Sequence, residues 1–410
     1  MISRIFSRPF TRIVVGVAVI ALAQLRPSAQ ETSQMNQPAA DGEARLVVHE
    51  WGTFTSIAGE DGTAVEWRPL NGSSDLPGFV HTMSETDRAS GLRHASACNK
   101  CDLSALVRME TPVLYFYTDR ETDVSVRVDF PKGRITEWYP QARFVNGGID
   151  WGRFKVLPDA LVDLPREEAE SHYYPAREVD AAPVRVCGQR GTEHERFLFY
   201  RGVGNFDLPL SVALKDDDRI VVKNFGREEI GTVVLFENRQ GKIGYRIRSL
   251  LKRKFRFNRP TAGQTIDSLE RDLENILITH GLYEKEARAM LKTWRDSWFE
   301  EGLRIFYIVP RGTTDSILPV TIDPTPAELV RVLVGRTEVI TPEMEHAVQQ
   351  QVAKLGSGSP DVRKAAMTAL KKRGRFSEPI LKRIAAHSGS AGIKARIERL
   401  TESGDLAPLW

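Results

Sequence analysis

Three cysteines, Cys98, Cys101 and Cys187, are too few to build a disulfide framework in a chain of 410 residues, so a buried core must hold the fold. Long hydrophobic runs are missing as well. The stretch from Ile13 to Leu25 is 13 residues, short of the roughly 20 needed to cross a bilayer. Several reaction signatures are absent. His49 has no second histidine four residues on, which removes the helical zinc-protease pattern. Neither a phosphate-binding P-loop nor a nucleophile elbow occurs. GVGNFD, from Gly202 to Asp207, lacks the third glycine of a dinucleotide loop, and Asp102 stands where a c-type haem attachment requires histidine. No excess of either charge exists, with 57 Lys and Arg against 54 Asp and Glu. That balance excludes a general polyanion binder but permits local concentrations.

What is present begins with an export pattern. Arg4, Arg8 and Arg12 precede the apolar run, and Ser28 and Ala29 follow it, giving a signal over residues 1–30 and a linker over 31–44. Without that segment 53 basic residues face 54 acidic ones. The expectation is a soluble exported protein, periplasmic or extracellular, with no transmembrane segment in the mature chain. Export leaves nucleic acid out as a partner. An envelope protein or a polysaccharide takes its place, and oligomeric state is open.

Residues 45–340 read as a β-rich body. VSVRVDF alternates, with Val124, Val126, Val128 and Phe130 on one face and Ser125, Arg127 and Asp129 on the other. With PVLYFY before it and RITEWY after it, it predicts a three-stranded meander. Further strands are expected at RFLFYRG, RIVVKNF, GTVVLFE and KIGYRIR. At about 265–302 the period changes to 3.6, which predicts an inserted helical hairpin, its first helix opened by Thr265 and ended by Gly281 and its second stopping near Gly302. LRIFYIV and VRVLVGRTEVI then return to the sheet. Thr341-Pro342-Glu343 opens a helical tail over 341–410, similar to a HEAT repeat. One repeat cannot bury its own core, so the tail must pack on the body or on a partner. The fold class is therefore mainly β with α insertions: an antiparallel sandwich or rolled sheet, a helical hairpin and a small HEAT-like unit.

Chemistry-bearing residues lie among aromatics. In RLVVHEWGTFTS, alternation puts His49 and Trp51 on one face of a strand and Glu50 on the other, with a β-bulge at Gly52 as the hazard. Arg108 and Glu110 precede Tyr115; Glu137 adjoins Trp138 and Tyr139; His172 and Tyr173 lead to Arg177; Glu195 leads to Arg201. These residues predict either buried structural pairs or an aromatic-lined cleft. In the cleft, Trp51, Arg108, Trp138, Tyr139, Tyr173, Arg177, Glu195 and Arg201 would bind a polar ligand. An acid-base hydrolase would use Glu110 and Glu137, assisted by His49 or His172, with Arg177 orienting the substrate. His81, His94, Cys98 and Cys101 have the spacing of a zinc site, the one cofactor these residues allow. Export favours a Cys98–Cys101 disulfide instead, with Cys187 unpaired. RIRSLLKRKFRFNRP carries seven basic residues and no acid, a solvated face or a surface for an anionic envelope component.

The ordered motifs HEWGTFTS, RMETPVLYFY, ITEWYP, HYYPAR, ERFLFYRGVG and WFEEGLRIFYIVP resemble a group of exported bacterial proteins. The resemblance spans roughly residues 47–341. It implies export and one β-rich body, and it implies no substrate. The leading functional expectation is an envelope binding or structural protein, with a glycan-type or metal-assisted hydrolase as the alternative.

Overall fold

The computed structural model describes residues 45–70, 76–83, 103–145, 147–215, 218–251, 253–402 and 406. The expected signal and linker, and the candidate ligands His94, Cys98 and Cys101, lie outside them.

Burial pattern decides where each strand goes. β1 (Val47–Ala58), β3 (Val107–Tyr117) and β10 (Leu198–Gly204) are buried on both faces. They lie inside a nine-stranded sheet of order β14 (Lys242–Leu251), β13 (Ile230–Arg239), β16 (Gly302–Ile308), β18 (Glu328–Val339), β1, β3, β10, β5 (Gly133–Tyr139) and β2 (His81–Thr82). Its pairs are antiparallel except β1 with β18. β4 (Thr122–Val128) buries only Val124, Val126 and Val128. It belongs to a six-stranded sheet, between β17 (Val320–Asp323) and β7 (Gly148–Val156). The predicted meander is therefore corrected: β3 and β5 flank β10, and the one-faced strand between them crosses to another sheet. A strand with one apolar face suits an outer layer, whereas β3 needs cover on both sides. A third sheet joins β11 (Leu210–Leu214), β12 (Arg219–Asn224) and β15 (Lys254–Asn258).

One core fills the space between the large sheet and the two smaller ones. It joins Val48, Phe54 and Met109 to Val124 and Val126 of β4 and to Val212 and Val222 of the third sheet, which makes the body a sandwich. The opposite face of the large sheet carries Trp51, Tyr115, Phe199 and Phe306 beneath the hairpin helices α1 (Ile266–Thr279) and α2 (Glu284–Trp298). Leu269, Leu273, Met290 and Trp294 are their buried stripe. Burying each such side chain contributes about 1.5–3 kcal/mol. The first helix is bounded where its sequence says: Thr265 Oγ1 accepts the Ser268 amide at 3.1 Å, and Gly281 takes φ +107°.

A short helix α3 (Arg311–Ile317) follows β16. The tail consists of α4 (Pro342–Leu355), α5 (Pro360–Lys371), α6 (Glu378–His387) and α7 (Ala391–Glu402), packed around Leu355, Leu370, Ile380 and Ile397. It docks on the body. Phe376 is 5.8 Å from the Trp67 ring, and Glu378 accepts the Arg68 amide at 3.1 Å. Body and tail share one compact unit, Ala44–Trp410.

Candidate functional site

The alternation expected of HEWG is observed. β1 pairs with β18 without interruption, so His49 and Trp51 share the helix-side face while Glu50 points into the sandwich. A bulge does exist at this level, but the extra residue lies in β3. Trp51 pairs with Val113 and Thr53 with Glu110, and Thr111 takes φ +48°. β1 stays regular, so its facing is unchanged past Gly52.

Each member of the His-Glu pair has its own partners. His49 Nδ1 is 2.8 Å from Glu286 on α2, whose other oxygen accepts the Tyr117 hydroxyl at 2.7 Å. Glu286 also accepts the Tyr283 amide at 2.8 Å, so the carboxylate that caps α2 fixes the histidine to the sheet. The acid opposing His49 is Glu286, not Glu110 or Glu137. Burial and the Glu286 charge push the Tyr117 hydroxyl far above its ordinary pKa, which keeps it a donor. Glu50, fully buried, accepts from Tyr200 and Arg331. Arg331 continues to Asp315 at 2.7 Å and to the Leu318 carbonyl at 2.8 Å.

Further along the helix-side face, register assembles a belt of buried charge across six strands. Arg304 of β16 is opposite Glu338 of β18, and Arg336 of β18 is beside Thr55 of β1. Thr55 and Thr53 are opposite Arg108 and Glu110 of β3, and Arg201 of β10 is opposite Glu137 of β5. Glu338 accepts from Arg304 and Arg336, each at 2.7 Å. Burial pushes its pKa up, but the two guanidiniums outweigh burial and hold it below the usual range. Arg201 donates to Glu137 at 3.0 and 3.2 Å. Glu110 is 3.3 Å from Arg108 Nε and 3.8 Å from Arg375, which arrives from the tail. The Glu110 oxygens and the Thr53 and Thr55 hydroxyls are buried without a hydrogen bond. Burial lowers Arg375 to about 10.

Tyr173, Arg177 and Glu195 do come together. The Tyr173 hydroxyl donates to Glu195 at 2.9 Å, and Arg177 grips the same carboxylate at 2.6 and 2.9 Å while lying over the Tyr173 ring. Burial raises the Glu195 pKa against the pull of Arg177. Tyr115, T-shaped on Phe197, donates to the Ala176 carbonyl at 2.7 Å and ties this cluster to Trp51.

The remaining candidates are dispersed. His172 binds Asp296 at 3.3 Å and the Thr293 carbonyl, on α2. The four members of the expected acid-base site, Glu110, Glu137, His172 and Arg177, thus engage four different partner sets. Nor do the aromatics line a cleft: Trp51, Trp138, Tyr139 and Tyr173 are each at most 4 % exposed, and Trp138 faces the sandwich core. His81 is 2.9 Å from Glu193 and 3.2 Å from Arg190, one at each ring nitrogen. A zinc ion would have to displace one of them. Among the described residues no group of three or more His, Cys, Asp or Glu could hold a metal. Cys187 is a free, exposed thiol.

Sequence reasoning did not single out Glu286, Arg304, Arg331, Arg336, Glu338 or Arg375. For four of them a signal existed: an arginine or glutamate inside LRIFYIV or VRVLVGRTEVI, strands otherwise apolar on both faces, must be paired where it is buried.

An accessible cleft of about 560 Å³ opens elsewhere, lined by Asp218, Glu237, Arg239, Lys242, Asn258, Arg259 and the chain from Pro260 to Ala262. Arg259 is fixed there by Glu237 at 2.7 Å, Glu343 at 2.8 Å and Asp218 at 3.0 Å.

No family model matches the chain, and no curated protein matches it. Among solved structures, the Fcho1 Mu homology domain of Danio rerio with bound Eps15 peptide is similar at a TM-score of 0.26 and 7% identity. The match covers 73% of this chain and 97% of that one, and a likeness so low carries no argument.

Proposed function

We propose that the chain is an exported envelope protein that binds a polar ligand rather than transforming one. The observation that supports this most is the fate of the candidate carboxylates. Glu110, Glu137 and Glu195 are fully buried, and the arginines, hydroxyl and backbone around them belong to the fold. Glu110 and Glu137 lie two strands apart with Arg201 between them, about 10 Å by strand spacing. A glycosidase pair must instead flank an open bond. The cleft, by contrast, places polar groups where a ligand can reach them. With Arg259 immobilised, Lys242 and the half-exposed Arg239 stand at its wall as donors for a hydroxyl-rich or anionic ligand such as a glycan. Export and kinship with the exported group are parts of the same proposal, supported by the order of the motifs and the leader pattern.

The test titrates the mature chain with solubilised envelope glycan fragments and follows heat of binding and new reducing ends in one sample. Saturable binding that Lys242→Ala weakens, with no reducing ends released, is the expected result. Reducing ends that disappear in Glu110→Gln would install the hydrolase instead.

A further inference from the structure

We infer that the chain carries a second, separate contact surface, a basic ridge with an aromatic tip that seats the protein on an anionic phospholipid surface. The ridge is built by register. Lys223 of β12 lies directly opposite Lys254 of β15, and Arg256 falls two residues further along the same face. Arg253 precedes β15, where its carbonyl accepts the Asn224 amide at 2.8 Å. Arg248, from the edge strand of the large sheet, lies over the Phe255 ring at 5.8 Å, on the opposite face of β15 from Lys254 and Arg256, and so adds positive charge beside the ridge rather than on it. All five cations are exposed, and no ion pair within the described residues neutralises any of them.

The hairpin surface behaves differently. There Lys285, Arg288, Lys292 and Arg295 are exposed too, but each is paired with a carboxylate, and Arg271 stands apart from them without an ion pair among the described residues. A near-neutral chain has therefore left one ridge uncompensated, where like charges repel unless an anionic surface meets them.

The second observation chooses the kind of surface. Phe225, immediately past β12, is 67% exposed, and the Lys223 ammonium lies 5.9 Å from its ring. An exposed phenyl has no polar edge with which to hydrogen-bond a sugar. Beside Lys223, it has the form of a side chain that enters the acyl boundary while the cations stay among phosphates. No helix among the described residues is long and apolar enough to cross a membrane, and the contact proposed is a peripheral one. Each lysine or arginine near an anionic leaflet strengthens binding by about fivefold. Lys223, Arg253, Lys254 and Arg256 together suffice for reversible attachment that salt dissolves.

The experiment floats the mature full-length chain with phosphatidylcholine vesicles and with equimolar phosphatidylcholine–phosphatidylglycerol vesicles. Binding is expected only to the anionic vesicles and should vanish at about 1 M salt, where the Debye length is about 3 Å. Lys223→Glu with Lys254→Glu should reduce it at least thirtyfold by the same per-charge figure. Phe225→Ser should reduce it several-fold while leaving the salt dependence in place. The cleft ligand should bind these variants as before, which separates failure of the ridge from failure of the glycan reading. Equal binding to both vesicle types, binding to neither, or full binding by the double variant would overturn the inference. So would indifference to Phe225→Ser combined with displacement by soluble polygalacturonate, which would make the ridge a polysaccharide surface.

Discussion

The helix-side face of the large sheet is covered by two different devices, and they hold it differently. Under the hairpin the contacts are mostly apolar, Leu269, Leu273, Trp294 and Trp298 on Trp51, Val332 and Phe306, with a polar knot at His49, Glu286 and Tyr117 and, at the end of the second helix, bonds from Arg336 to Ser297 and from Arg304 to the Trp298 carbonyl. Under the tail the sheet presents Arg336, Arg108 and Glu110 to Arg375, and Phe376 lies 5.0 Å beneath the Arg336 guanidinium. The first half gains stability from removing apolar surface, which tolerates loss of one group in proportion to its size. The second is a set of mutually dependent charges. Its net worth is small against an apolar substitute, yet losing one partner is severe, because the other stays buried and unpaired. The belt is therefore better understood as a device for register and position than as a source of stability.

The sharpest way to break this contrast is Glu338→Ala. Two fully buried arginines would lose their shared carboxylate, and stability to urea should fall by about 3–5 kcal/mol. A loss under about 1 kcal/mol would mean that the belt relaxes freely and is not a coupled unit. Leu269→Ala, on the apolar side, should cost about 2–4 kcal/mol by transfer and cavity terms, and added salt should leave that cost unchanged. A salt-dependent cost would erase the distinction between the halves.

His49→Ala tests the knot that joins sheet to hairpin. The buried Glu286 carboxylate would lose one of its three bonds, keeping those from Tyr283 and Tyr117, and the cost should be about 1 kcal/mol, read as a lower melting temperature with glycan binding intact. Normal melting with binding abolished would instead make His49 a ligand-contacting group.

The smallest effect is expected at Glu343, where the tail's first turn meets the cleft. Hydrogen bonding to Arg259 lowers its carboxyl to about 2 from an ordinary 4.5. A depressed carboxylate stabilises the fold above the unfolded pKa, and that contribution is lost as pH falls from about 4.5 to about 2. Since the Glu343 side chain is 59 % exposed, screening should keep the contribution below about 1 kcal/mol. Melting curves of Glu343→Gln and the parent chain should differ at neutral pH and converge toward pH 2. Curves that stay parallel would remove the pair from the stability account.

Local pattern carried much of the architecture. Thr265, Gly281 and Thr341 mark helix boundaries because capping is settled within a few residues. His49 and Glu50 separate because a strand repeats every two residues. The meander failed because period two says which face of β4 is apolar and not which sheet will receive it. The candidate site shows the same limit: aromatic neighbours in sequence single out Arg108, Glu110, Glu137 and Arg201, but those aromatics are core residues in space.

What the sequence by itself determined is the β-rich body, the hairpin near 265–302, the helical tail and the direction in which each residue of HEWG points, since all of these follow from short-range periodicity and capping. Only tertiary structure decided that Glu286 rather than Glu110 faces His49, that Arg375 comes from the tail to Glu110, and that Lys223 stands beside Lys254. Those pairings join residues separated by tens to hundreds of positions, and their partners are chosen by strand order and register, which no local pattern encodes.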